Sequence, residues 1–371
     1  MLKVLHVSES DEWSGGAAQL LALAEGLRAR DWEVLIGCRP GSGLFDQAAK
    51  RGLETFTVAL SEDYDLVSAY RLARFIRSRG VDVIHAHHNR SHAVCLLAKV
   101  LLALGGFTPA LVVSRRVSFP PGRNPFSLWK YRSALINRIV AVADAVKDVL
   151  VRAGVPPERV AVIRSGVDQA RFSPRRADAA LKRSLGLPES GPIIGKIANA
   201  SPWKGQGVLL EAAALLAKTA GAAHFVLAGR DTDGPWVREQ VSRLGLSRRV
   251  TLLGFRLDVP DILSCLDVSV NAATQGEGLS GALRESLTMG VPVVASDIAG
   301  NRELLRAGTG GWLTPPGDAA ALAARLEWVL SHPNEAKAAV SAWRAQSLGE
   351  FTLEQTVAKT DALYRDLLAA R

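Results

Sequence analysis

The chain has 371 residues, 48 % hydrophobic and 22 % charged, and its 45 Lys and Arg against 36 Asp and Glu give a net charge of +9. That balance excludes a disordered chain and suits two globular domains with full cores. Three scattered cysteines, Cys38, Cys95 and Cys265, exclude a disulfide framework and a zinc-finger spacing and fit a reducing compartment.

In chain order, Val4–Val7 predicts a first strand, and Leu20, Leu23, Ala24 and Leu27 follow at the i, i+3, i+4, i+7 spacing of an amphipathic helix. Further strands are predicted at Trp32–Cys38, Val81–His85, Leu111–Ser114, Ile139–Val142 and Val160–Arg164. The second half repeats the pattern at Ile193–Ala198, His224–Ala228, Val250–Gly254, Val268–Asn271, Val291–Ala295 and Gly311–Leu313. Continuous apolar runs such as VPVVAS suit strands covered on both faces. Strands alternating with helices in both halves predict an α/β protein of two doubly wound parallel sheets. The joint falls in SGVDQARFSPRR (165–176), where Pro174 breaks the pattern. The expected domains are 1–170 and 171–351, with a final helix, about 352–371, packing back on the first. Two such domains facing each other place a ligand cleft between the carboxyl ends of their strands.

The charge is unevenly spread. Residues 1–172 hold 23 basic and 16 acidic side chains, and the remainder 22 and 20. Between Asp82 and Asp144 there are eight Lys or Arg and no acid. An anionic partner follows: nucleic acid, membrane surface or phosphorylated substrate. The apolar start of MLKVLHVSES is too short for a signal peptide, and Ala93–Leu104, interrupted by Lys99, is shorter than the roughly 20 residues of a spanning helix. The expectation is a cytoplasmic protein with peripheral membrane contact still open.

The densest constellation is NAATQGEGLSGALRESLTMGVPVVAS (271–296). Gly276, Gly278 and Gly281 let backbone approach a ligand, and the unpaired N–H groups of the helix that follows favour phosphate. Ser280 suits an N-cap or a phosphate donor. Glu285 lies about opposite Leu283 and Leu287, with small Gly281 and Ala282 one turn earlier leaving its carboxylate reachable. Carboxylates bind hydroxyls, so Glu277 and Glu285 suit a sugar and a ribose beside a phosphate. The alternative is a tight turn followed by an exposed helix charge.

Glu277 and Glu285, followed by Met289-Gly290-Val291-Pro292-Val293-Val294-Ala295, resemble the signature of the family 4 retaining glycosyltransferases of GT-B architecture. SGGAAQLLALAEGLRARDWEV (14–34) resembles the family's Gly-Gly loop and first helix, and VDVIHAH (81–87) its third-strand segment. AVIRSGVDQARFSP (161–174) is similar to its interdomain passage and SPWKGQGVLLEAA (201–213) to its Lys-Gly loop. HFVLAGR (224–230) and RVTLLGFRLDVPDILSCLDVSV (249–270) complete a resemblance along nearly the whole chain. It implies that Glu277 contacts the transferred sugar and Glu285 the ribose. Gly278 and the amides of Leu279, Ser280 and Gly281, with Gly15 and Gly16 opposite, would hold the diphosphate, which Lys204 neutralises. Gly254, Phe255 and Arg256 would lie near the base.

Two positions depart from the family pattern. Asn199 stands where an Arg usually grips the diphosphate, and Val113-Ser114-Arg115-Arg116-Val117 where many members place a His. Arg115 or Arg116 is expected to substitute, with Arg123 nearby, on donor phosphate or an anionic acceptor.

Four histidines fall at 85, 87, 88 and 92. His88 and His92 have metal-ligand spacing, yet no acid is close, and the resemblance implies no need for a bound metal. His87 is expected to serve the reaction and His88 the acceptor, unless they are hydrogen-bonded strand-end histidines. Arg115, Arg116, Arg123, Lys130 and Arg132 interleave with Phe119, Phe126, Trp129 and Tyr131, which suits nucleic acid or a membrane interface, or aromatics packed inward. In a glycosyltransferase-like first domain the interface is the better reading. The resulting expectation is a retaining transferase moving a sugar from a nucleoside-diphosphate sugar to a hydroxyl of an anionic saccharide or glycolipid, as in lipopolysaccharide or capsule synthesis, with no nucleic-acid partner and no cofactor. The alternatives are a GT-B sugar-nucleotide 2-epimerase and a non-catalytic nucleotide-sugar-binding protein.

Overall fold

The computed structural model describes the whole chain apart from residues 61, 123–124, 220–222, 306–308 and 371. It divides into two compact units, Met1–Gly166 with Leu353–Arg371, and Val167–Thr352. In the first unit β1 (Leu2–Val7), β2 (Trp32–Cys38), β3 (Glu54–Thr57), β4 (Val83–Ala86), β5 (Ala110–Arg115), β6 (Arg138–Ala141) and β7 (Val160–Val162) form one sheet in the order β3-β2-β1-β4-β5-β6-β7. In the second, β8 (Ile193–Ile197), β9 (His224–Ala228), β10 (Val250–Gly254), β11 (Val268–Asn271), β12 (Val293–Ser296) and β13 (Gly311–Thr314) run in the order β10-β9-β8-β11-β12-β13. Every described pairing between these strands is parallel. Both sheets are doubly wound and Rossmann-like, because strand order reverses at β1/β4 and at β8/β11, and those switch points set where ligands bind.

The first sheet has one strand more than the apolar runs predict. That strand, β3, pairs along β2 from Leu35↔Glu54 to Cys38↔Thr57 at the sheet's edge, with Glu54 and Thr57 exposed. An edge strand needs no continuous apolar run, so ETFT carries little signal. The central strands are covered on both faces, and their β-branched composition follows from that burial. All three cysteines are free and buried. Among the described residues no helix is long and apolar enough to cross a membrane.

The helix Leu353–Ala369 completes the first unit's core. Val357, Tyr364 and Leu367 join Leu20, Leu27 and Trp32 in one apolar cluster, and the Trp32 indole N–H donates to Asp361 at 2.8 Å. Gly26, inside the helix Gly15–Arg28, makes this approach possible: a Cβ there would lie 2.4 Å from Val357 Cγ2. Two effects compete in Gly26→Ala, a helix-propensity gain of about 1 kcal/mol and an overpacking cost of about 1–3 kcal/mol. Overpacking should win, and Val357→Ala should cost less in the Gly26→Ala background than in the wild type. Urea titrations of the four members of the cycle would show this as a non-additive pair; strict additivity would mean that the two helices do not meet as described.

Candidate functional site

In the second unit the carboxyl ends of β8 and β11 carry two loops that are tied together. Thr274 N–H donates to the Trp203 carbonyl at 2.9 Å, and Lys204 Nζ meets Glu277 Oε1 at 2.5 Å. Gly205 lets the first loop pass the second: its φ is +74°, and a Cβ would lie 1.8 Å from the Ala272 carbonyl oxygen. Gly300 plays the same part for the second loop, since a Cβ there would lie 2.1 Å from the Gly278 oxygen. Behind Glu277, buried Asn271 donates to Ser280 Oγ at 3.0 Å and takes the Ala273 N–H on its own oxygen at 2.9 Å. Ser280 is the N-cap of the helix Gly281–Thr288, but its hydroxyl caps no N–H, and the first turn carries no acid. The opening amides of that helix thus remain unsatisfied by any side-chain cap, as an anion site requires.

Charge accumulates around these loops. Lys196, in the middle of β8, is buried, and desolvation, then the charge of Lys204, brings its pKa down to about 7, with Glu277 opposing. Arg284 is also buried, and burial lowers it to about 10 against the pull of Glu285 and Glu277. Glu285 is only partly exposed, and desolvation raises it to about 7 although Arg284 and Arg171 oppose the shift. Its carboxylate sits beside Gly281, where a Cβ would come within 4.0 Å of Oε1. Lys204 and Arg284, joined by a Lys196 that is only partly charged near neutrality, thus meet two carboxylates of which Glu285 is easily protonated, and the balance is positive. Such a site takes a polyanion and offers carboxylate acceptors to hydroxyls.

The neighbouring positions hold less reactive partners. The side-chain oxygen of Asn199 accepts the Arg230 N–H at 3.0 Å and so ties the ends of β8 and β9. Gly254 has φ +63°, Phe255 exposes 47 % of its surface, and Arg256 pairs with Asp258 at 2.8 and 2.5 Å.

The first unit holds a second polar centre. Arg116 Nη2 donates to His87 Nδ1 at 3.0 Å. Guanidinium only donates, so a neutral His87 carries its proton on Nε2 and gives it to His6 Nδ1 at 2.8 Å. His85 joins Ser114 Oγ at 2.7 Å and the Tyr364 hydroxyl. Nitrogens of His6, His85 and His87 lie within 4.8 Å of one another, a spacing open to a metal ion. Five of their six nitrogens are engaged in these bonds and Arg116 adds fixed positive charge, so the chemistry favours a neutral hydrogen-bonded network. His88 meets Ser8 Oγ at 2.9 Å, and Glu9 caps the following helix through Arg90 and Ser91 N–H. Beside them lies a cavity of about 400 Å³ lined by His87, His88, His92, Arg116 and Tyr131 among others.

Comparison with known proteins is consistent along the chain. The family model Glycosyltransferase Family 4 matches residues 13–171, and Glycosyl transferases group 1 matches 191–332. The chain belongs to these glycosyltransferase families. It is 33 % identical over 186 residues to the amylovoran biosynthesis glycosyltransferase AmsK of Erwinia amylovora, covering 48 % of this chain and 43 % of AmsK. It is 23 % identical over 330 residues to a UDP-Gal:alpha-D-GlcNAc-diphosphoundecaprenol alpha-1,3-galactosyltransferase of Escherichia coli, covering 84 % of each. The chain spans less than half the length of several of the curated relatives it matches. In fold it is similar to Anabaena HepE, solved with UDP and glucose, at a TM-score of 0.85 and 22 % identity over 99 % of this chain and 100 % of that one. The fold is that of the GT-B glycosyltransferases.

In this family member the second unit brings Lys204, Glu277, Gly278, Leu279, Ser280, Gly281 and Glu285 to one set of loops, while Gly15 and Gly16 open the first unit's helix Gly15–Arg28. Gly15 has open space around its Cα, and a Cβ on Gly16 would lie 3.3 Å from His88 Nε2. Arg115 is buried and bonded to the Tyr131 hydroxyl and the Phe119 carbonyl, so it braces its own loop while lining the same cavity as Arg116. Arg123 lies outside the described residues. Lys196 and Arg284 escaped the sequence reading; the signal was a lone charge within a run otherwise suited to burial. The histidines yield a sign-definite prediction. Burial holds His6 and His92 down at about 3 and His85, His87 and His88 below their ordinary range. Below pH ~6.5 the unfolded chain binds protons that the folded chain refuses, so stability falls as pH falls, by up to about 1.4 kcal/mol per unit for each of His6 and His92, with His85, His87 and His88 acting in the same direction. Melting curves from pH 7 to 5 should show the first unit lost first, and His92→Phe should flatten the dependence.

Proposed function

We propose that this chain is a retaining glycosyltransferase that uses a nucleoside-diphosphate sugar and delivers the sugar to a hydroxyl of an anionic saccharide or glycolipid, in cell-envelope polysaccharide synthesis. The observation carrying this reading is the positive charge of Lys204 and Arg284, with a partly charged Lys196, around Glu277 and the uncapped helix start at Gly281. A diphosphate supplies the charge this cluster lacks, and Glu277 and Glu285 accept from sugar and ribose hydroxyls. Names of relatives support the same class: one uses UDP-galactose on a diphosphoundecaprenol-linked sugar, another serves amylovoran synthesis.

In the proposed reaction the acceptor hydroxyl attacks the anomeric carbon on the face from which the diphosphate leaves. The anomeric C–O bond to phosphate breaks, the new C–O bond forms, and the acceptor proton passes to the departing phosphate oxygen. Lys204 and the helix amides stabilise the negative charge that builds on that oxygen. Lys204 must exchange Glu277 for phosphate when donor binds, which frees the Glu277 carboxylate for the sugar. On the acceptor side, Arg116 and His88 border a cavity suited to an anionic group, and His87 adjoins it.

Lys204→Ala should weaken nucleoside diphosphate binding by about 1.5–3 kcal/mol, the value of a hydrogen bond to a charged group, and leave nucleoside binding nearly unchanged. Glu277→Ala should lower turnover by about two orders of magnitude with little loss of nucleoside diphosphate affinity. Calorimetry beside transfer assays separates the two effects. Equal losses of turnover and affinity in Glu277→Ala would remove its role at the sugar.

A further inference from the structure

Among the described residues of the first unit, exposed apolar side chains cluster around the start of the helix Leu66–Arg79. Leu66 and Val67 are each 65 % exposed, Tyr64 59 % and Tyr70 56 %. The Tyr64 ring lies 4.1 Å from that of Phe126, which in turn lies 5.5 Å from Trp129, itself 39 % exposed. The same helix buries Ser68, Ala69, Leu72, Ala73 and Ile76. Its opposite face therefore presents Leu66, Val67 and Tyr70, and further along Arg71, Arg74 and Arg77. No acid occurs in the helix. Of the flanking acids, Asp65 caps the helix through Ser68 N–H at 2.8 Å, and Asp63 is held by Lys130 at 3.2 Å; Glu62 alone stands exposed.

A surface that is apolar and aromatic for its first turn and a half, then cationic for two turns, is graded along the helix axis. Leucine and valine favour acyl chains, tyrosine and tryptophan the headgroup level, and arginine the anionic phosphates above. A folded protein partner would need acids set opposite Arg71, Arg74 and Arg77 and an apolar pocket beside them, whereas an anionic bilayer supplies both at once. We propose that this face, formed by Tyr64, Leu66, Val67, Tyr70, Arg71 and Arg74 and extended by Trp129, docks the chain on a lipid bilayer rich in anionic headgroups. The inference rests on the glycolipid-acceptor reading only for its purpose. It also relocates the membrane contact that the basic segment 115–132 suggests, because Arg115 and Lys130 of that segment are buried and engaged.

The test is co-sedimentation of the full chain with phosphatidylcholine vesicles, with and without phosphatidylglycerol. Wild-type protein should partition onto the phosphatidylglycerol vesicles and be released by salt. The double variant Arg71→Gln/Arg74→Gln should bind about thirtyfold more weakly, as two surface arginines near an anionic leaflet imply. The triple variant Leu66→Ser/Val67→Ser/Tyr70→Ser should lose binding even at low salt. Both variants should keep wild-type melting temperature and nucleoside diphosphate affinity. Wild type that ignores phosphatidylglycerol, or variants that bind like wild type, would overturn the inference. So would a concentration-dependent dimer abolished by the triple variant without any vesicle binding, which would assign the face to a second copy. Vesicle binding without nucleoside diphosphate binding would leave this surface standing and remove the glycosyl-transfer reading instead.

Discussion

A lysine and a glutamate held 2.5 Å apart between two loops organise the chemistry of the second unit. Their loops leave adjacent strands, and they can meet only because Gly205 lets one backbone pass within contact of Ala272. The pair cannot be read alone, since Lys196 and Arg284 lie buried around it, and only together with Lys204 do they outweigh Glu277 and the easily protonated Glu285, Lys196 itself being partly charged near neutrality. Buried charge without full compensation is costly to fold. A ligand that carried negative charge to such a place would stabilise the folded chain by binding. The elevated Glu285 shows the same tension, because desolvation outweighs two nearby arginines.

The first unit handles its polar interior in the opposite way. Burial keeps its clustered histidines neutral, and Arg116, Ser8, Ser114 and Tyr364 bond their nitrogens. Tyr364 comes from the helix Leu353–Ala369, so the far end of the chain sets the orientation of His85 in the middle of the first sheet. Packing at Gly26, the indole bond to Asp361 and this hydroxyl are three views of one helix locking one unit. Fold stability and the polar centre beside the cavity are thereby coupled.

Charge on this molecule has three separate destinations. Lys204, Lys196 and Arg284 gather around the two loops of the second unit. Arg115 and Lys130 are consumed as internal braces. Arg71, Arg74 and Arg77 reach solvent beside exposed tyrosines and aliphatics. In the acid-free stretch between Asp82 and Asp144, Lys99, Arg115 and Lys130 are buried while Arg90 and Arg132 are exposed, and the helix Leu66–Arg79, which lies outside it, adds the exposed Arg71, Arg74 and Arg77.

Much of this was legible in the residues. Strands covered on both faces must be apolar and β-branched, so twelve of the strands announce themselves, and the loops with glycine, lysine and paired glutamates mark the chemistry because backbone must approach a ligand there. The edge strand Glu54–Thr57 carries no such demand and left no pattern. Identity alone likewise could not tell that Arg115 bonds Tyr131 and Phe119 while Arg116 bonds His87, because those partners are brought beside the strand end only by packing. The sequence by itself determined two parallel α/β sheets and the loops that carry the site. Tertiary structure alone decided which charges are buried, which are paired and which face solvent, since burial and pairing depend on neighbours that are distant along the chain.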